Sequence, residues 1–322
     1  MPRSLAANPQ TAGILCIVTG MLALSANDAF MKFLSGDYAL HQLVLMRSLV
    51  ALTLVSTAAS LTGGLASLKT RRLPLHIGRG LLLTLANSAY FLALAAMPLA
   101  EAVAVFFVAP LLITLLSVPF LGERVGVNRW FGVAVGLAGV VVMLRPGEEA
   151  ISYASLLPLV AATAYATLQI TTRRLGRTDR PLTMAFYIQL TFMIISLSMG
   201  LAAGDGRFAG TGDPSLDFLF RAWRIPDTGD LGLILACGVL IACAAVLLSR
   251  AYSMAQAAAV APFEYVALPM AIVWGFVLWG DLPDGLTIVG ILMIAGGGLF
   301  VLYREARKGR EVASRHPLPR NR

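Results

Sequence analysis

Charge is what this chain has least of. Only 13% of its 322 residues are Asp, Glu, Lys or Arg, about half the share of an ordinary soluble domain, while 58% are hydrophobic. A large water-soluble core under a charged surface is thereby excluded. Histidine is scarce too: His41, His76 and His316 lie at the edges of apolar stretches or in the tail and form no cluster. The three cysteines, Cys16, Cys237 and Cys243, all fall inside apolar stretches, where thiols pack as small side chains. They suggest neither a disulfide framework nor metal-ligand spacing. Missing as well are the phosphate-cradling Gly-x-x-x-x-Gly-Lys-Ser/Thr run, the His-Glu-x-x-His zinc pair and the Gly-x-Ser-x-Gly nucleophile elbow. ATP-driven pumping and these hydrolase chemistries have no support, no metal or cofactor is implied, and the chain does not read as an enzyme.

What is present is sequence suited to hydrocarbon. Ten apolar stretches, most of about 17 to 25 residues, follow one another, and about 20 apolar residues suffice to cross a bilayer. They predict an all-α polytopic membrane protein with helices over 13–33, 43–61, 75–96, 99–121, 127–144, 151–172, 182–201, 231–254, 257–279 and 286–303. Pro74, Pro98, Gly122, Pro146, Pro181 and Pro283 punctuate the ends. The first stretch is too long, and too polar near its end, for a signal peptide and reads as a retained helix. One long connection, 204–230, is rich in Gly, Asp and Pro. Its aromatic part, 215–223, is expected either as an interfacial helix on the bilayer or as a loosely packed linker.

The net charge of +8 is spread over alternate connections and the tail rather than along one stripe, which argues against nucleic acid. Lys and Arg stay on the cytoplasmic side. Lys69, Arg71, Arg72, Arg79, Arg173, Arg174, Arg177, Arg180 and the basic tail 304–322 fall on one side, against Arg145, Arg207, Arg221 and Arg224 on the other. A multi-pass protein of the cell inner membrane with both termini cytoplasmic is the expectation. Its expected partners are a small-molecule substrate and the lipid bilayer, with a homodimer admitted.

Dividing the chain between 13–146 and 151–303 leaves five predicted helices in each part, and an odd number inverts one part against the other. One register of the second part on the first sets Asn27 against Gln169, Lys32 against Arg174 and Arg47 against Gln189. A second register sets Phe107 against Tyr265, Glu123 against Asp281, Gly132 against Gly290 and Gly139 against Gly297. Two inverted five-helix repeats are expected, the architecture in which secondary transporters place their substrate site between repeats.

Ionisable groups inside hydrocarbon are costly and mark solvated paths or binding sites. Asp28 and Lys32, four residues apart, can pair along one helix face. They are read either as such a pair with Lys32 snorkelling outward or, with Asn27, as the lining of a polar cavity. Arg47, at a similar depth in the second helix, either closes a structural cluster with Asp28 or holds an anionic substrate group. Glu264 is deeper, and a carboxylate there is costly to ionise without a partner. Glu101 reads as a helix-start charge.

Pro110, Pro119, Pro262 and Pro269 each remove a backbone donor, so the fourth and ninth helices are expected to bend and line the path. Around them lie Tyr90, Phe106, Phe107, Tyr165, Phe263, Tyr265 and Trp274, with Gln169 and Gln189 as uncharged hydrogen-bonding groups. A planar organic ring is the natural guest of such a lining.

The layout, the opening segment 23–34 with Leu45-Met46-Arg47, the run from Pro110 to Leu121-Gly122-Glu123, the Gly-rich fifth and tenth helices and the second stop Trp279-Gly280-Asp281 resemble the drug/metabolite transporter superfamily, specifically its EamA-type members. Asp281 stands where the resemblance would put Glu, and the loop around Phe218 is an insertion relative to compact members. The resemblance implies a proton-linked or facilitated carrier of small organic metabolites working by alternating access. The opening segment is most similar to the branch of riboflavin and S-adenosylmethionine uptake carriers. Riboflavin uptake is therefore the first expectation, with S-adenosylmethionine uptake or export of an amino acid or other metabolite as the alternative.

Overall fold

The computed structural model describes residues 9–121, 126–144, 153–175, 181–254 and 261–307. The chain runs through α1 (Pro9–Leu34), α2 (Leu40–Gly63), α3 (Leu73–Ala96), α4 (Leu99–Phe106), α5 (Ala109–Leu121), α6 (Val127–Leu144), α7 (Tyr153–Leu175), α8 (Pro181–Ala203), α9 (Pro214–Phe220), α10 (Thr228–Met254), α11 (Ala267–Trp279) and α12 (Gly285–Arg307). Short 3-10 turns occupy Leu65–Leu68 and Ala261–Val266. Among the described residues, seven helical stretches are long and apolar enough to cross a membrane, and Trp130–Leu144, Phe263–Trp279 and Gly285–Phe300 are shorter apolar helices. Large side chains such as Leu81, Leu85, Ile194, Leu201, Val277 and Leu292 stand exposed around the bundle, as a lipid solvent allows.

Hydrocarbon offers no hydrogen bonds, so polar groups on the outer faces are satisfied within their own helix. On α2, Thr53, Thr57, Ser60 and Thr62 each donate a hydroxyl to the carbonyl four residues back, at 2.7 to 2.9 Å. Ends follow from turn chemistry. Pro74 opens α3, and Gly280 closes α11 in the left-handed conformation at φ 73°, its N–H donating to the Phe276 carbonyl.

The helices pack in pairs that cross the division of the chain: α1 along α10, α3 along α7, α2 along α8, and α6 along α12. In addition α4 and α5 lie on α7, while α11 and the turn before it lie on α1. Between α6 and α12 the backbones nearly touch. A Cβ built on Gly139 would stand 2.9 Å from the Gly290 carbonyl oxygen, and one on Gly290 2.9 Å from that of Gly139. Further along, a Cβ on Gly297 would stand 2.7 Å from the Gly132 oxygen.

Two expectations need correction. The stretch 99–121 is not one helix: α4 ends at Phe106 and α5 begins at Ala109. Pro110 has no N–H for the Phe106 carbonyl, and the chain tightens through Val108 N–H to Val105 O at 3.1 Å. The ninth predicted helix, 257–279, is α-helical only from Ala267; Ala261–Val266 is 3-10 and 255–260 fall outside the described residues. Arg145, Glu123 and the tail 308–322 also lie outside them. The fifth predicted helix coincides with α6, and the remaining ones match the observed helices to within about four residues at either end.

The connection 204–227 is not loosely packed. It forms a strap over one end of the bundle. Asp213 caps α9 by accepting the Leu216 N–H at 3.0 Å. Hydrogen bonds from the Tyr153 hydroxyl and that N–H hold the Asp213 carboxyl below the usual carboxylate range. Phe218 is only 1% exposed, and Ser215 donates to the Leu92 carbonyl at 2.8 Å. Beyond α9, Arg221 donates to the Ser35 carbonyl at 2.5 Å. Gln42 pairs with the backbone of Arg224, donating at 2.6 Å and accepting at 3.3 Å. Tyr38 donates to Asp230 at 2.7 Å and accepts from the Asp227 N–H at 3.2 Å. Composition could not show these anchors because their partners lie far away in the chain.

Candidate functional site

Counted at 1.5 Å per residue, Asp28 on α1, Arg47 on α2 and Tyr90 on α3 all lie about 10 Å below the strap end of their helices. Helix packing turns them toward one another. Arg47 is only 2% exposed. Its Nη2 donates to Asn87 Oδ1 at 2.6 Å and its Nη1 to Asn27 Oδ1 at 3.4 Å, while the guanidinium lies 5.0 Å from the Phe91 ring centre and 6.0 Å from that of Phe192. Asn27 passes the contact on, its Nδ2 donating to Asp28 Oδ1 at 3.2 Å. The Tyr90 hydroxyl donates to Asp28 Oδ2 at 3.0 Å. Cation and carboxylate are thus joined through an amide rather than directly, and every link is a hydrogen bond of the kind a buried charge requires.

Lys32 is not in this cluster. Its ammonium donates to the Leu94 and Met97 carbonyls at 2.7 and 2.6 Å and sits 5.2 Å from the Trp279 ring centre. Glu101, in the first turn of α4, and Asp281 act on the same ammonium electrostatically. Of the two readings of Lys32, the pair with Asp28 does not form. The last carbonyls of α3 have no partner in their own helix and take the ammonium instead, while Asp28 is occupied by Tyr90 and Asn27.

From Tyr90 a row of rings leads deeper. Tyr90 lies 5.2 Å from Phe106, Phe106 5.5 Å from Tyr165 and 6.4 Å from Phe107, and Phe107 5.2 Å from Tyr265, centre to centre. Such spacings are those of packed aromatic pairs. Tyr165 hydrogen-bonds the Gln169 side chain, and Glu264 lies near enough to act electrostatically on both Tyr165 and Tyr265. The Tyr265 hydroxyl is buried against Gly298 with no hydrogen-bond partner among the described residues. Phe106 and Phe107 stand at the α4–α5 break, and Glu264 and Tyr265 in the 3-10 turn before α11, so both irregular segments face this row.

The structure therefore brings together Asn27, Asp28 and Arg47 in one group and Phe106, Phe107, Tyr165, Gln169, Glu264 and Tyr265 in another, with Tyr90 joining them. Trp274 instead meets the edge of Phe30 at 6.3 Å. Gln189 is buried on α8, one turn before Phe192, and bonds to neither group. Asn87 had not been singled out. Its signal was its spacing, three residues before Tyr90 and so on the same helix face.

Lipid-facing helices around a polar and aromatic interior, two of them irregular where they meet it, define a multi-pass membrane protein built as a carrier. The chain belongs to the EamA-like transporter family, whose model matches residues 11–145. It is 32% identical to the riboflavin transporter of Rhizobium johnstonii over 78% of this chain and 77% of that protein. It is 28% identical to the S-adenosylmethionine uptake transporter of Rickettsia conorii, over 92% of this chain and 94% of that one. It is also 27% identical to the riboflavin transporter of Vibrio cholerae, over 92% and 95%. A solved structure described as a crystal structure of a protein shares the fold, with a TM-score of 0.58 at 23% identity over 96% of this chain and all of that one. The resemblance read from the sequence is borne out, and the chain is a small-metabolite transporter of this superfamily.

Proposed function

We propose that this protein carries a planar organic metabolite of the flavin class, riboflavin first, across the cell inner membrane by alternating access. The observation that carries this reading is the ring row Tyr90–Phe106–Tyr165, running from the Asp28 carboxyl toward Glu264 beside the irregular turns of both halves. Flat rings stack favourably on such a row, and polar groups at its ends supply orientation. The named activities of the relatives from Rhizobium johnstonii and Vibrio cholerae support the same substrate class.

Residues 13–146 and 151–303 act as two inverted repeats, with both termini cytoplasmic. Two features support the repeat. Exchanging the halves turns the α1–α10 packing into the α7–α3 packing, and turns the Gly139–Gly290 approach into the Gly297–Gly132 approach. S-adenosylmethionine is the second reading. Carboxylates beside aromatic rings suit a sulfonium cation, and the Rickettsia conorii relative is named for that compound.

The test is riboflavin uptake by a flavin-requiring host that lacks its own carrier. Growth at low riboflavin only when this protein is expressed is the expected result; no rescue, together with rescue of S-adenosylmethionine uptake, reverses the ranking. In the same assay Asp28→Asn and Glu264→Gln reduce uptake at least tenfold at unchanged expression. Wild-type uptake by both variants removes these carboxyls from the path.

A further inference from the structure

Both cations set into the first two helices are already engaged by the protein. Arg47 has one nitrogen on Asn87 and one on Asn27, with aromatic rings close by, and is nearly sealed from solvent. Lys32 has two of its three donors on helix-end carbonyls and lies beside Trp279 and two carboxylates. Asp28 differs. It is partly exposed, and Asn27 and Tyr90 supply one hydrogen bond to each oxygen of a group that can accept about four. At the α4–α5 break Pro110 has no N–H, and those of Leu111 and Leu112 both go to the Val108 carbonyl, at 2.9 and 3.0 Å, so these three residues offer an anion no donor.

Resting on the carrier function above, we propose that the polar end of the site is an acceptor site that selects against negative charge: it takes uncharged or cationic ring compounds with N–H or O–H donors and rejects their phosphorylated or otherwise more anionic counterparts. Arg47 serves as a positioning residue that orients Asn27 and Asn87; it does not grip substrate. A phosphate brought to this place would meet the Asp28 carboxylate with no unengaged cation from α1 or α2 to balance it.

Competition measured on the purified carrier in proteoliposomes tests this with two matched pairs. Riboflavin and its 5′-phosphate share a ring system and differ in negative charge; S-adenosylmethionine and S-adenosylhomocysteine share an adenosine and differ by one positive charge. Within whichever pair is recognised, the less negative member competes at least tenfold better, and Asp28→Asn narrows that ratio at least threefold. The opposite preference or equal competition within a pair overturns the proposal, as does an Arg47→Gln carrier that folds and loses the phosphorylated ligand alone. A carrier that binds no member of either pair overturns the functional reading itself, a result readily distinguished from the others.

Discussion

Gly297→Ala lowers the thermal midpoint of the detergent-purified protein, while Gly296→Ala, one residue earlier on the same helix, leaves it unchanged or raises it. The two glycines face different surroundings. A Cβ at Gly297 would stand 2.7 Å from the Gly132 oxygen and 3.2 Å from the Gly136 nitrogen, both backbone atoms that cannot rotate aside. The α6 and α12 helices would have to separate, and overpacking of this kind costs about 1 to 3 kcal/mol. A Cβ at Gly296 meets nothing within 4 Å, and replacing a helical glycine with alanine stabilises by roughly 0.5 to 1 kcal/mol. A larger residue at Gly297, such as leucine, abolishes folded protein. Equal midpoints for the two alanine variants would show that the close approach of α6 and α12 is not the packing that matters.

Arg47→Met is expected to be the most damaging single change near the site. It deletes the donor to Asn87 and Asn27, and leaves Asp28 without the cation that the Asn27 amide connects to it. Breaking a fully buried ionic network from one side costs about 3 to 5 kcal/mol, and the cost here is smaller because Asp28, the charge left behind, is partly exposed. The double variant Arg47→Met/Asp28→Asn recovers a large part of that loss, since both charges are then gone. Arg47→Lys recovers little. One ammonium on a flexible stem does not reproduce two nitrogens held in a planar fork toward two different amides. Thermal unfolding of the wild type, Arg47→Met, Asp28→Asn, the double variant and Arg47→Lys gives the answer, and additive effects of Arg47→Met and Asp28→Asn would dissolve the network.

Much of this architecture is legible in the sequence. The fifth predicted helix coincides with α6 because its apolar run is bounded by Gly126 and by Arg145-Pro146. The gathering of Phe106, Phe107, Tyr165 and Tyr265 followed from reading the prolines as marks of bent, path-lining helices. The break at Phe107–Val108 was hidden because hydropathy does not change there. Pro110 alone signalled it, and a proline announces lost donors without saying whether the helix bends or stops. The Asp28–Lys32 pairing fails for a different reason: spacing along α1 counts only partners on α1, whereas the carbonyls that hold Lys32 belong to α3 and the Met97 turn after it. Asn87 was overlooked because one amide in an apolar helix barely alters its character, though it receives the shortest bond that Arg47 makes.

The strap across 204–227 gives the molecule a sidedness, since it is anchored at one end of the bundle, on Ser35, Tyr38 and Gln42. A fixed cover of this kind cannot act as a ratchet. It lowers or raises the barrier for a molecule entering and for one leaving by the same amount, so it sets how quickly the two compartments equilibrate and has no say in which of them ends up richer. Accumulation must come from the concentrations and potentials on either side.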